Sequence, residues 1–378
     1  MRLSCILLKE NKFKEIVAFI VLILVTAITD ISHYVSWVIA DIPTSWIFLG
    51  VSIFFLSLKW HDRVIALSVV DLAIFFHNSN VLISILIMFF ICVTGFIYRL
   101  KKPAIWDASK KFVVSILIAL LFLCIVDYFV WKDFSLFPPR KGTFLIYRLT
   151  NYGLLSKTLE DYCPTKKWSV CKNKKVLASL KGRSVPWISN RNAPPAKLSL
   201  FNNEKEVEEI VFYTAKSNVL QIFKYSLKET FKLLSSANSL DGALPLPQYH
   251  YSLVFESIKR FFPNEVNYFE NSYQGQRLPV RVKVFNINDK TLQRCIYLSL
   301  AVMAAVFIFY KEYGLFLFII SVLAFIFLNA FVTASIVWPS DRYNMRVAWL
   351  VPYMLLLTAF VFISKRYGGQ DRKCIPKK

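Results

Sequence analysis

The sequence contains no GxSxG, HExxH, Walker or Rossmann pattern, so no hydrolase elbow, zincin helix, phosphate loop or dinucleotide fingerprint can be read from it. It has no internal repeat and no low-complexity tract, which argues against a repeat array or a disordered tail. Few windows show period-two alternation, so little sheet is expected. Acidic residues are scarce, with 24 Asp and Glu against 46 Lys and Arg and a net charge of +22. Four histidines and seven cysteines are scattered along 378 residues. The opening "MRLSCILLKENKFKE" is broken by charge before any apolar core, and no small-residue cleavage site follows the first apolar stretch. No cleavable signal peptide is therefore expected, and Cys5 has too little apolar sequence before it to be a lipoprotein acceptor.

What the chain has in abundance is hydrocarbon. Its residues are 56% hydrophobic and include 34 Phe, and apolar stretches alternate with basic clusters in the pattern of a polytopic membrane protein. Eight spans are predicted, at about 15–36, 42–58, 64–78, 80–98, 112–131, 295–310, 315–338 and 347–363. The third and fourth fill only the 35 residues between Arg63 and Arg99, so they form a tight helical hairpin or a re-entrant one. With the N-terminus inside, cytoplasmic segments carry 18 Lys and Arg, from Arg2 to Lys378, against Arg342 and Arg346 alone in the short loops of the other face. This bias predicts that both termini are cytoplasmic.

Residues 132–293 hold no spanning stretch and fall between the fifth and sixth spans, so an extracytoplasmic domain is expected there. The chain then divides into an N-terminal bundle of five helices (1–131), this domain, and a C-terminal bundle of three (294–378). The segment "NEKEVEEIVFYTAKSNVLQIFKYSLKETFKLLSS" repeats apolar residues every three or four positions, with acids early and lysines late, and reads as two helices meeting near Ser217 and Asn218. The fold class expected is all-α, a membrane bundle with a mainly helical outside domain. "DYCPTKKWSVCKNKK" supplies the domain's only cysteines, Cys163 and Cys171. In an oxidising compartment an even count reads as a disulfide; zinc is the alternative, but His250 is the only histidine nearby. With Arg294 at its edge, the domain carries 26 Lys and Arg against 13 acids. Such a surface beside a bilayer suits an anionic lipid or a lipid-phosphate carrier, and the location excludes nucleic acid.

Polar residues recur at one depth. Asp30 and His33 stand three apart near the outer end of the first span, on one helix face. "FFHNSNVL" places His77, Asn78, Ser79 and Asn80 at the hairpin tip, Asp127 lies one turn below the outer end of the fifth span, and "SDRYNMRVAWLVP" brings Asp341, Arg342, Tyr343 and Arg346. Ionisable groups at membrane depth are costly and usually face a bundle interior or a wet cleft. Asp30, His33, His77 and Asp341 are the candidate catalytic residues, since a carboxylate or imidazole there can act as a general base. Asn78, Arg342, Tyr343 and Arg346 are the candidate substrate-binding residues, because arginines four apart can clamp a phosphate. Each element also has a structural reading, as a helix cap, a turn or a local ion pair. Asp71 and Asn329, deeper in their spans, can pair with neighbouring helices. Asp30, His33 and His77 could together hold a metal, but proximity alone does not define a site, and no metal or cofactor is assigned.

Two stretches carry a resemblance. "RLTNYGLLSKTLEDYCPTKKWSVC" resembles the outside domain of uncharacterised polytopic inner-membrane proteins of Gram-negative bacteria, which share an acidic residue before Cys-Pro and a second Cys about eight positions on. "SDRYNMRVAWLVP" is similar to the Arg-Tyr loop leading into their last helix and, more distantly, to loops of lipid-carrier-dependent glycosyltransferases of the GT-C type. That resemblance implies a cell-envelope protein of the inner membrane, and by position Asp30 would match the acidic residue that acts after the first span in those enzymes. Those enzymes usually have more spans and a long first outer loop, nearly absent here. The reading that follows is transfer of a sugar or similar group from a lipid-phosphate donor. The alternative is a non-catalytic assembly, export or immunity factor whose basic domain binds a partner.

The expected topology is checked by reporter fusions. Alkaline phosphatase should be active when joined after Lys232 and inactive after Lys110; activity at both sites or at neither would overturn the eight-span arrangement.

Overall fold

The computed structural model describes residues 14–29, 43–57, 59–98, 103–132, 134, 136, 141–183, 195, 201, 203–235, 253–271, 294–295, 297–299, 301–302, 305, 313–336 and 341–368. Among them there is no strand, and the helices run in chain order α1 (Lys14–Ile28), α2 (Thr44–Leu56), α3 (Trp60–Phe76), α4 (Asn78–Tyr98), α5 (Pro103–Trp131), α6 (Lys141–Asn151), α7 (Leu154–Tyr162), α8 (Lys174–Ala178), α9 (Glu204–Ser217), α10 (Val219–Ser235), α11 (Leu253–Phe261), α12 (Val266–Asn271), α13 (Tyr313–Ile336), α14 (Asp341–Ala348) and α15 (Leu350–Gly368). They form two compact units, one from 1–42, 235–324 and 340–378, the other from 43–234 and 325–339.

Four stretches are long and apolar enough to cross a bilayer: Ser79–Ile97, Pro103–Val130, Phe318–Ile336 and Tyr343–Ile363. Two shorter apolar helices cover Glu15–Ala27 and Thr44–Leu56. Four expected spans (80–98, 112–131, 315–338 and 347–363) fall on these long stretches and two (15–36 and 42–58) on the shorter helices, while 64–78 falls on α3, which is in neither group; 30–36 and most of 295–310 lie outside the described residues. Burial on these helices is the reverse of that in a water-soluble bundle. On α5, Phe112 and Ile116 are buried while Leu117, Ile118, Leu121, Phe122 and Phe129 are exposed. On α1, Ala18, Val21 and Val25 form the buried stripe, and Phe19 and Ile23 face outward. Large apolar side chains so displayed belong in hydrocarbon, and the protein is a multi-pass membrane protein.

The second unit begins with consecutive helices packed on one another. Gly50 of α2 lies so close to α3 that an added Cβ would stand 2.9 Å from the Ala66 carbonyl oxygen and 2.5 Å from a Val70 methyl. Small residues let two apolar helices approach where no water drives them together. α3 and α4 meet at His77, one extended residue between two helices, so the expected hairpin is tight. Pro103 opens α5, at the helical position where a missing amide hydrogen costs nothing.

Between the spans, α6, α7, α8 and α9 close a core of Ile146, Leu155, Leu159, Trp168, Val170, Leu177, Val207 and Ile210. The turn from α6 into α7 uses Gly153 at φ 75°, a conformation that suits glycine. α9 starts at Asn203, whose side chain accepts from the Glu206 amide, and carries Glu204 and Glu206 in its first turn and Lys216 in its last. It ends at Ser217 and α10 begins at Val219, at the break read from the sequence. Cys163 and Cys171 are joined by a disulfide, and the loop they close is stitched to α9. Lys166 Nζ and Trp168 Nε1 donate to the two oxygens of Glu209 at 2.7 and 2.9 Å. Those two donors hold the Glu209 carboxyl below its usual range. The Val170 amide and the Ser169 hydroxyl donate to Glu206.

Cys163 and Cys171 should therefore react with alkylating agents only after reduction. Replacing both with Ser should lower stability by about 2–3 kcal/mol, read as an earlier thermal unfolding of the full-length protein. Free thiols in unreduced protein would overturn the pairing.

Candidate functional site at the membrane face

At the hairpin tip, His77, Ser79 and Asn80 are engaged with one another or with neighbouring helices. The Ser79 amide donates to His77 Nδ1 at 3.1 Å, and Ser79 Oγ lies 2.7 Å from the same nitrogen. In the neutral ring this places the proton on Nε2. Asn80 is fully buried: its Oδ1 accepts from Thr44 Oγ1 at 2.7 Å, and its Nδ2 donates to the Ala73 carbonyl at 2.8 Å. Ala73 is among the last four residues of α3, whose carbonyls have no partner within the helix. One asparagine thus ties the start of α2, the end of α3 and the start of α4 together. Asp71, on α3, accepts from Ser115 of α5 at 2.9 Å, the neighbouring-helix pairing expected of it.

In the other unit, α14 leads directly into α15. Arg346 is only 2% exposed, with its guanidinium carbon 5.3 Å from the centroid of the Tyr343 ring. Three residues apart on one helix, the two share a face, and the ring stabilises the cation. The Arg346 carbonyl accepts from Trp349 Nε1 at 3.2 Å. A buried guanidinium at the mouth of a membrane-spanning segment is suited to a phosphate or carboxylate, which it can bind at two points.

Of the candidate residues, His77 falls in the second unit and Tyr343 and Arg346 in the first. Asp30 and His33 lie outside the described residues, as do the side chains of Asn78, Asp341 and Arg342. Among the described residues, no three His, Cys, Asp or Glu side chains come close enough to hold a metal.

A further polar centre is not marked by any motif. Arg148, on α6, is 4% exposed and donates through Nε at 3.1 Å and Nη2 at 2.8 Å to the carbonyl of Ala334, in the last turn of α13. That carbonyl is another helix-end acceptor, and a cation there also complements the helix dipole. The guanidinium lies 4.6 Å from the Tyr152 centroid, and Tyr152 stacks on Tyr225 of α10 at 4.6 Å. The hydroxyls of Tyr152 and Ser226 are buried there, neither in a hydrogen bond of good geometry. Desolvation depresses the Arg148 pKa from its ordinary value and pushes the Tyr152 phenol up to about 12. The only trace of this cluster in the sequence is an arginine on the apolar side of "FLIYRLTNY", one turn before a tyrosine. Its partner lies 186 residues away, beyond the reach of any local pattern.

No family profile matches the chain, and no curated protein or solved structure is significantly similar to it. The class is set by the helices themselves, as a multi-pass, all-helical membrane protein.

Arg148→Met should lower the melting temperature in nanodiscs by an amount equivalent to about 1–3 kcal/mol, since it strips a buried carbonyl of its donor. Arg148→Lys should rescue only part of this, lacking the second prong. The phenol adds a pH effect. The unfolded chain loses the Tyr152 proton near its ordinary value of about 10. The folded chain holds it to about 12. Stability should thus fall as pH rises through that window, and Tyr152→Phe should remove that part of the fall.

Proposed function

We propose that the protein works at the outer face of a bacterial inner membrane, with eight spans, both termini cytoplasmic and the 132–293 domain outside. There it transfers a sugar or similar group from a lipid-phosphate donor. The observation that carries this reading is Arg346, held almost wholly out of water against Tyr343 where α14 enters the last span. A cation maintained at that depth is suited to the phosphate of a lipid carrier, which is anionic and tethered at the same level. Arg342, one turn away, would complete the clamp, with Asp341 beside it. In the transfer, an acceptor hydroxyl attacks the donor carbon, the bond from that carbon to the phosphate oxygen breaks, and the lipid phosphate leaves with the electron pair. Asp30 or His33 takes the hydroxyl proton.

A second reading rests on a different observation. Lys172, Lys174 and Lys175 stand exposed beside the disulfide loop on a domain rich in basic residues. Such a surface suits an acidic partner in a non-catalytic assembly, export or immunity factor.

One experiment separates them, complementation of a strain lacking the gene with membrane abundance measured alongside. The transfer reading expects Asp30→Asn and Arg346→Lys each to abolish function at normal abundance, because an amide takes no proton and lysine lacks the planar fork. Full complementation by both would end it. If Lys172, Lys174 and Lys175 changed together to Gln then lost function, the partner-binding reading would stand instead.

A further inference from the structure

α10 is built inside out. Along its 17 residues, Leu220 is 83% exposed, Phe231 61% and Phe223 52%, with Val219 also outward. The buried positions are Ser226, Thr230 and Leu233. A helix on the aqueous surface of a domain does the opposite, hiding its leucines and phenylalanines and showing its hydroxyls. Thr230 turns its hydroxyl back to the Ser226 carbonyl at 2.6 Å, which satisfies it without water.

The neighbour of this helix explains the inversion. Phe223 meets Phe331 of α13 at 5.9 Å between ring centroids, and Phe231 meets Phe327 at 6.0 Å. Both partners lie within the Phe318–Ile336 stretch that is long and apolar enough to cross a bilayer. As α10 runs from 223 to 231, its contacts on α13 retreat from 331 to 327, so the two helices run in opposite senses. Eight residues of α10, about 12 Å, pass over four residues of α13, about 6 Å, so α10 descends obliquely along the span. Its deeper contact lies nine residues, about 14 Å, from the Ile336 end, well inside a leaflet of about 15 Å of hydrocarbon. The apolar side chains beyond the two Phe pairs are therefore at hydrocarbon depth. Beside them, Lys224 and Lys228 stand exposed four residues apart, one turn of helix, on long stems that can carry their charge upward to the lipid phosphates.

We propose that α10 is a lipid-facing helix. Its Val219, Leu220, Phe223 and Phe231 side chains enter the acyl chains of the leaflet at the Ile336 end of α13, and Lys224 and Lys228 reach that leaflet's phosphates. The domain formed by α6–α9 is thereby held to the bilayer by its own C-terminal helix as well as by the Arg148 contact. Phospholipid is the occupant of the exposed face because the face continues the apolar surface of a membrane span and is edged by cations.

The test uses the full-length protein in nanodiscs of phosphatidylethanolamine and phosphatidylglycerol, with an environment-sensitive fluorescent amino acid in place of Leu220 or of Lys205, at the start of α9. Both positions are exposed, so neither replacement disturbs a packed core. Lipids with brominated acyl chains should quench the probe at 220 about three-fold more than the probe at 205, and aqueous iodide should show the reverse order. Iodide reaching 220 as readily as 205 would overturn the proposal, because the face would be in water. So would shielding of 220 from both quenchers, the signature of a second copy or another protein segment covering it. With Lys224 and Lys228 both changed to Gln, iodide should reach 220 more readily as the headgroup anchor is lost; unchanged access would overturn the place given to the lysines.

Discussion

Hydrocarbon as the surrounding medium governs this molecule. A chain whose outward side chains are Phe, Leu, Ile and Val has no water at that surface to satisfy its polar groups, so each one has to find a partner within the protein. The structure meets that demand locally wherever it can. Thr26, Thr29, Ser109, Thr333 and Ser335 each return a hydroxyl proton to the carbonyl four residues back. Where a helix ends, the same demand recruits longer connections, Asn80 for the Ala73 carbonyl and Arg148 for that of Ala334. Asn80 and Arg148 are therefore connectors between helix ends, and their positions follow from where backbone carbonyls run out of partners.

This explains which parts of the fold can be read from the sequence. Apolar length and helical period identify the four long apolar helices and the α9–α10 break, because both depend on residues adjacent in the chain. The start of α5 is less legible: the apolar stretch begins at 112, but the helix begins nine residues earlier. Asp107 and Lys111 stand one turn apart and make an ion pair at 2.7 Å, so the charged stretch is as helical as the apolar one. Hydropathy marks the hydrocarbon, not the helix. At the candidate site, Asn80 reads as a turn residue because its two partners, Thr44 and Ala73, are set by packing between helices. Tyr343 and Arg346 are legible together because three residues on a helix place them on one face.

The two units present arginine to the membrane in two ways. Arg148 is consumed by a backbone carbonyl and joins a domain to a span, a structural use of a desolvated cation. Arg346 is held by an aromatic ring in a short helix next to a span, which keeps its planar nitrogens defined in orientation. Arg148 thus belongs to the architecture, while Arg346 is the residue on which the proposed phosphate site rests.

The bond between Arg148 and Ala334 also imposes an order on the birth of the molecule. The arginine leaves the ribosome 186 residues ahead of the carbonyl that will receive it, a delay of roughly ten to forty seconds at ordinary translation rates. Once α9 has followed, still well before Ala334 is made, α6–α9 can close their core and their disulfide. The guanidinium stays in water, solvated and charged, until α13 is threaded into the bilayer and its last turn is exposed beside it. Docking of the domain is thus a late event, gated by insertion of a helix from the far end of the chain.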